Sequence, residues 1–185
     1  MISNILWAAA LSSTIAHAYS IKSETAAFNA ILGSHPEIVE LVTSDVDLFH
    51  EAGVYHAPTK ALWVVSDMIP NVTGRYISRL THLTSASSVK VERINTTIPN
   101  PIGGHRYVQG TKYGDVIMFV AQGTKADSPP GGVYALNPYP PYNTSLVLGS
   151  YGDYPFNSLD EITVTADGVI WLTDVSTSIV SSDHD

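Results

Sequence analysis

The chain of 185 residues contains no cysteine, which excludes disulfide bonds, thiolate zinc sites and cysteine nucleophiles together. Basic residues are scarce as well: nine Lys and Arg stand against seventeen Asp and Glu, giving a net charge of −8. No basic stripe is available to neutralise phosphate groups, so nucleic acid is not an expected partner. The acidic balance is compatible with binding of a cation.

The apolar run at the N-terminus, Ile5 to Leu11, is too short to span a bilayer. Residues 1–18 carry no charged side chain and end in Ala16-His17-Ala18, a pattern typical of a secretory cleavage site. We therefore predict that residues 1–18 are a signal peptide, that the protein is secreted, and that it has no membrane span.

Acceptor sequences for N-glycosylation occur at three asparagines in turn-like surroundings, Asn71, Asn95 and Asn143. Sequences of this kind also arise by chance, but their number agrees with secretion. We predict a secreted glycoprotein that carries glycans at these positions.

With 44% hydrophobic and 14% charged residues, the chain is of the globular class. Helical periodicity is confined to residues 19–36, where apolar residues lie four apart between Ala27 and Leu32. Ser23 can cap this helix and Gly33 can end it. The remainder alternates short β-rich runs with Gly, Pro, Asn and Asp, which predicts an all-β sandwich, barrel or propeller.

An internal repeat favours the propeller. Similar apolar strands align Trp63, Met118 and Trp171, at steps of 55 and 53 residues, and each follows a tight-turn signal. A hairpin turn before an apolar strand in every repeat predicts one four-stranded propeller blade per repeat, with the tryptophans in the core. Residues 37–175 then form about three blades, and 176–185 are a polar tail. Chance similarity among hairpins is the alternative interpretation.

Two of the repeats place an acidic residue next to the first strand, Glu51 in one and Asp160 in the other. Carboxylates drawn from different blades suit a hard cation such as Ca²⁺, which takes oxygen ligands. Acidic residues beside strands are also common on solvated surfaces. Spacing alone does not distinguish a cation site from solvated surface carboxylates.

Several segments together resemble a known family: Phe49–Tyr55, Gly132–Pro138, Phe156–Ile162 and Ala166–Asp174. They are similar to the gluconolactonase/regucalcin-like (senescence marker protein) family, in particular to its fungal secreted lactonohydrolases. The resemblance covers roughly residues 26 to 175. It implies a six-bladed, Ca²⁺-dependent propeller, of which this chain has the N-terminal half.

The resemblance also implies roles for individual residues. Glu51 matches a metal ligand, and Asp160 stands where the family has a ligating asparagine; a carboxylate there still binds Ca²⁺ but changes the charge and removes the amide donors. Asn100 and His50 match substrate-pocket positions, with a loop and a packing role as their alternatives. The family's later ligand and its catalytic base lie in blades beyond those matched here, so no catalytic residue is identified.

The activity implied by the resemblance is hydrolysis of a small-molecule lactone. Calcium or another divalent cation would polarise the ring carbonyl, and a carboxylate would activate water. Half a ring is expected to impair this activity. The alternative is a non-catalytic half-propeller that binds a partner or associates with a second copy through its open blade edges.

Overall fold

The computed structural model describes residues 24–33, 36, 38–69, 74–108, 114–123 and 131–175. The predicted signal peptide, the predicted tail at 176–185 and the acceptor Asn71 lie outside these residues. The chain divides into two units, residues 1–40 and 41–185. No helix in the described part of the chain is both long and apolar enough to cross a bilayer.

The first unit contains helix α1, Ala26–Leu32. Its cap is Thr25, whose extended backbone lets the side-chain Oγ1 accept a hydrogen bond from the Phe28 N–H at 3.1 Å. Ser23, the predicted cap, lies outside the described residues. Gly33 ends the helix with φ of 79°, as the sequence predicts, because glycine adopts this conformation without a steric cost.

The second unit is built from strands, which make up 44% of the described residues, and the prediction of an all-β protein is confirmed. The strands are β1 (Glu51–His56), β2 (Ala61–Val65), β3 (Ile77–Thr81), β4 (Lys90–Ile94), β5 (Pro101–Tyr107), β6 (Val116–Ala121), β7 (Gly132–Leu136), β8 (Thr144–Leu148), β9 (Ser150–Tyr151), β10 (Tyr154–Pro155), β11 (Leu159–Val164) and β12 (Ile170–Asp174). A first sheet has the order β1-β2-β3-β4 and a second sheet the order β5-β6-β7-β8, both antiparallel. Two short strands, β9 and β10, precede a hairpin of β11 and β12.

The sequence repeat corresponds to a structural one. Three hairpins, β1–β2, β5–β6 and β11–β12, each carry one extra residue near the start of the first strand. The register shifts lie between Glu51 and Val54, between Pro101 and Gly104, and between Leu159 and Ile162. Two repeats form the predicted four-stranded sheets, while the third has two strands in the described residues, and the sheets do not close.

The second sheet is covered on both faces, and strand β6 is buried at all six residues. Phe119 points into a core shared with Trp63 of the first sheet. Its neighbour Met118 points the opposite way, into a core shared with Ile162 of the β11–β12 hairpin. Because both of its faces are buried, β6 is an unbroken apolar run rather than an alternating one.

The aligned positions of the repeat differ in burial. Trp63 and Met118 are fully buried, whereas Trp171 is 61% exposed, so its predicted place in the core is wrong. Ile170 and Leu172 pack against the core shared with β6, and successive side chains on a strand alternate in direction. Trp171 therefore points to the opposite face of the hairpin, which no described residue covers sufficiently to bury it.

Candidate functional site

The first strands of the three hairpins meet at β5, which contacts both β1 and β11. Two consecutive glycines allow this approach. A Cβ atom on Gly104 would lie 3.0 Å from the Ala52 Cβ, and one on Gly103 would lie 2.5 Å from the Asp160 backbone oxygen. The Gly103-Gly104 pair thus lets the β5 backbone lie against a neighbouring strand on each side.

A cleft of about 540 Å³ opens beside these strands. Its polar lining consists of two imidazoles, two carboxylates and one hydroxyl: His50, Glu51, His105, Glu161 and Thr163. The structure therefore brings together His50 and Glu51, both predicted as site residues. It adds His105 and Glu161, which were not predicted as site residues.

Asp160, the second predicted metal ligand, does not line this cleft, whereas its neighbour Glu161 does. The Glu161 N–H donates to Thr173 Oγ1 at 3.0 Å, and the Glu161 carboxylate accepts the Ile162 N–H at 2.8 Å. These bonds hold Glu161 close to its own strand. The role of Asp160 as a metal ligand stays a prediction.

His50 has Asp67 as its charged neighbour. Its Nδ1 lies 3.9 Å from Asp67 Oδ2, and Asp67 Oδ1 lies 3.6 Å from Arg75 Nε. The pKa of Asp67 is below its usual value, mainly because the Met68 N–H donates to the carboxylate at 2.7 Å, with His50 and Arg75 adding to the effect. The ionised Asp67 carboxylate therefore lies beside His50, although Asp67 does not itself line the cleft of about 540 Å³.

Asn100 lies in a different cleft, of about 790 Å³, which Arg75 and Arg93 also line. Its Oδ1 accepts the Arg75 backbone N–H at 3.3 Å, and its Nδ2 donates to Gln122 Oε1 at 3.4 Å. Asn100 thus joins the connection between β2 and β3 to the residue after β6. The structure does not bring it to the cleft of Glu51, and its substrate role stays a prediction.

A second polar cluster joins the first two sheets and was missed from the sequence. His56 is fully buried, with Nδ1 2.7 Å from Thr59 Oγ1 and Nε2 3.3 Å from Asp115 Oδ2. Arg106 donates two hydrogen bonds to the Asp115 carboxylate, at 2.9 and 2.7 Å. These bonds are the main reason why the pKa of Asp115 is lowered. The cluster links the turn between β1 and β2 to the turn between β5 and β6.

The cleft residues do not form a metal site by themselves. Among the described residues, no three His, Asp or Glu side chains lie close enough together to hold a metal ion. Calcium takes about six to eight oxygen ligands, which Glu51 and Glu161 alone do not supply. The calcium requirement implied by the family resemblance therefore stays a prediction.

Two of the three glycosylation acceptors can be located. The side chains of Asn95 and Asn143 are exposed, as attachment of a glycan requires.

Comparisons with models of protein families, with curated proteins and with solved structures give no match for this chain. Its resemblance to gluconolactonase-like proteins accordingly stays a prediction.

Proposed function

We propose that this chain is a secreted, gluconolactonase-like lactone hydrolase whose described residues form about three propeller blades, with its substrate in the cleft between β1, β5 and β11. One observation carries the proposal: the first strands of three repeated hairpins meet, and Glu51 and Glu161 line the cleft beside them. In propellers the innermost strands surround a central channel, and side chains from different blades meet there. The cleft of about 540 Å³ is of the size that small ligands occupy.

The chemistry assigned to this cleft is hydrolysis of a cyclic ester. The Glu51 carboxylate accepts a proton as water attacks the ring carbonyl carbon, and a new C–O bond forms. The bond from that carbon to the ring oxygen then breaks, and the ring oxygen takes a proton to give a hydroxy acid. His50 and His105, both on the cleft, supply that proton when they are protonated.

The test is hydrolysis of sugar lactones and a pantoyl-type lactone by the full chain, with and without chelator. We expect Glu51→Gln to lower the rate by about 100-fold or more, the usual effect of removing a general base. Glu92→Gln is the matched control, because Glu92 is an exposed glutamate on β4 that pairs with Arg79 and not with the cleft. A wild-type rate equal to the spontaneous one, or equal rates for the two variants, contradicts the proposal.

Calcium is tested separately through thermal unfolding. If Glu51 and Asp160 share an ion, added Ca²⁺ raises the melting temperature, because the ion binds only the folded state. Glu51→Gln and Asp160→Asn should each reduce that rise. An unchanged melting temperature in Ca²⁺ would refute the calcium binding that the family resemblance implies, and lactone hydrolysis would then be judged by the rate assay alone.

The second candidate is a non-catalytic binding protein. It is favoured by the finding that the described residues hold no cluster of three metal-binding side chains. In that case a lactone or its hydroxy acid should bind without turnover. Calorimetric titration of both compounds, run beside the rate assay, distinguishes the two functions.

A further inference from the structure

The β11–β12 hairpin has one apolar face without a cover. At the aligned positions of the two sheets before it, Trp63 is buried under the second sheet and Met118 under the hairpin. Each layer therefore covers the one before it. Trp171 is 61% exposed because no further layer lies over it in the described residues.

The outer edge of β12 is also unpaired in the described part of the chain. A second copy of the chain is the cover that we consider, because the charges of its first sheet complement those of the hairpin.

Acidic and basic residues are distributed unequally between the hairpin and the first sheet. No Lys or Arg follows Lys125, and the hairpin carries four acidic residues, Asp160, Glu161, Asp167 and Asp174. Residues 51–94, which form the first sheet, hold five of the nine basic residues and only three acidic ones. The hairpin of one molecule and the first sheet of another are therefore complementary in charge.

The first sheet offers a receiving surface of suitable chemistry. A cleft of about 600 Å³ is lined by Tyr55, Lys60, Arg79 and His82, and Tyr55 is 51% exposed. This combination of an aromatic ring and basic groups suits a hairpin that carries an exposed indole ring and four acidic residues. Tryptophan is also the residue type most typical of interface hot spots.

We propose that two copies of this chain associate, with the Trp171 face of each hairpin docked on the first sheet of the other. The hairpin face and the first sheet are different surfaces, so each molecule contributes one of each to the dimer. A two-fold axis relates the two contacts, and the assembly is therefore complete with two copies. Within one chain, His56 and Asp115 already make such a polar contact between the turns of adjacent hairpins. Between copies, Lys60 at the β1–β2 turn faces Asp167 at the β11–β12 turn.

The first experiment is sedimentation velocity of the full chain over a series of concentrations, and we expect a dimer. Trp171→Ala should raise the dissociation constant by about 30-fold or more, as removal of a hot-spot tryptophan does. Tyr151→Ala is the matched control: it removes another exposed aromatic residue, 80% exposed on β9, and should leave the constant unchanged. A monomer at every concentration, or equal effects of the two variants, overturns the proposal.

A charge exchange gives a second, independent measurement. Asp167→Lys and Lys60→Glu should each weaken the dimer, and the molecule carrying both should recover it, because the pair is restored with reversed signs. Circular dichroism verifies that each variant is folded. Loss of dimer in the double variant, although it is folded, contradicts the proposed pairing. The outcome does not depend on lactone hydrolysis.

Discussion

Replacing Gly103 with alanine tests the close approach of β5 and β11 beside the cleft. The new Cβ would lie 2.5 Å from the Asp160 backbone oxygen, 2.6 Å from a Glu161 carboxylate oxygen and 2.8 Å from the Glu161 Cα. The carboxylate can swing away, but the other two atoms belong to the backbone. Strand β11 must therefore move by roughly 1 Å to restore ordinary van der Waals contact.

Overpacking of this kind costs about 1–3 kcal/mol of unfolding free energy. For a chain of this size, a loss of about 2 kcal/mol lowers the melting temperature by about 4 to 8 °C. The displaced strand carries Glu161, so the shape of the cleft changes together with stability. Urea unfolding at equilibrium measures the free energy, and differential scanning calorimetry measures the melting temperature.

Gly53→Ala is the matched control. Gly53 lies in the equivalent bulged part of β1, and a Cβ atom there has nothing within 4 Å. We expect this variant to be neutral or more stable by up to about 1 kcal/mol, because alanine restricts the unfolded chain. If the Gly103 variant is as stable as the Gly53 variant, β5 and β11 are not packed as described here.

Three further outcomes are expected. Hydrogen bonds from Arg106 lower the pKa of Asp115, so the stabilisation that they give is present above the unfolded value of 3.8 and is lost as the pH falls through the lowered folded value. The unfolding free energy, measured by urea titration across that pH range, should show the loss, and Asp115→Asn should remove this pH dependence. Trp63 is fully buried and meets the Tyr142 ring edge-on at 5.8 Å between centroids, so Trp63→Ala should lower the unfolding free energy by about 3–5 kcal/mol in urea, and a loss below about 1 kcal/mol would contradict its core position. Asn95→Gln and Asn143→Gln should each remove one glycan from protein secreted by a eukaryotic host, and an unchanged intact mass would show that the site is not used.

The repeat was predictable because its signals are local. Turn residues and apolar strands recur at the steps that join Trp63, Met118 and Trp171, and two of these repeats form four-stranded sheets. What covers each strand was not predictable. Apolar alternation assigns Trp171 to a face of its hairpin, but only the arrangement of the other sheets decides whether that face is buried.

The cleft was predictable in part, for a similar reason. Glu51 and His50 stand directly before or at a strand start, so their neighbourhood follows from the chain itself. The register shift in β11 decides that Glu161 rather than Asp160 lines the cleft, and a bulge leaves no mark in a pattern of apolar residues. The contact of His56 with Asp115 joins residues 59 positions apart, and no local signal predicts it.

The burial of β6 on both faces also has a consequence for the chain as it is being made. One face of this uncharged six-residue strand is covered by the first sheet, which precedes it in the chain. The other face is covered by a hairpin that begins only at Leu159. A nascent chain therefore exposes a segment of high β-propensity until the hairpin is complete at Asp174, 53 residues after β6 ends at Ala121. Aggregation of incomplete chains should begin at this segment, because it has the composition of a cross-β core.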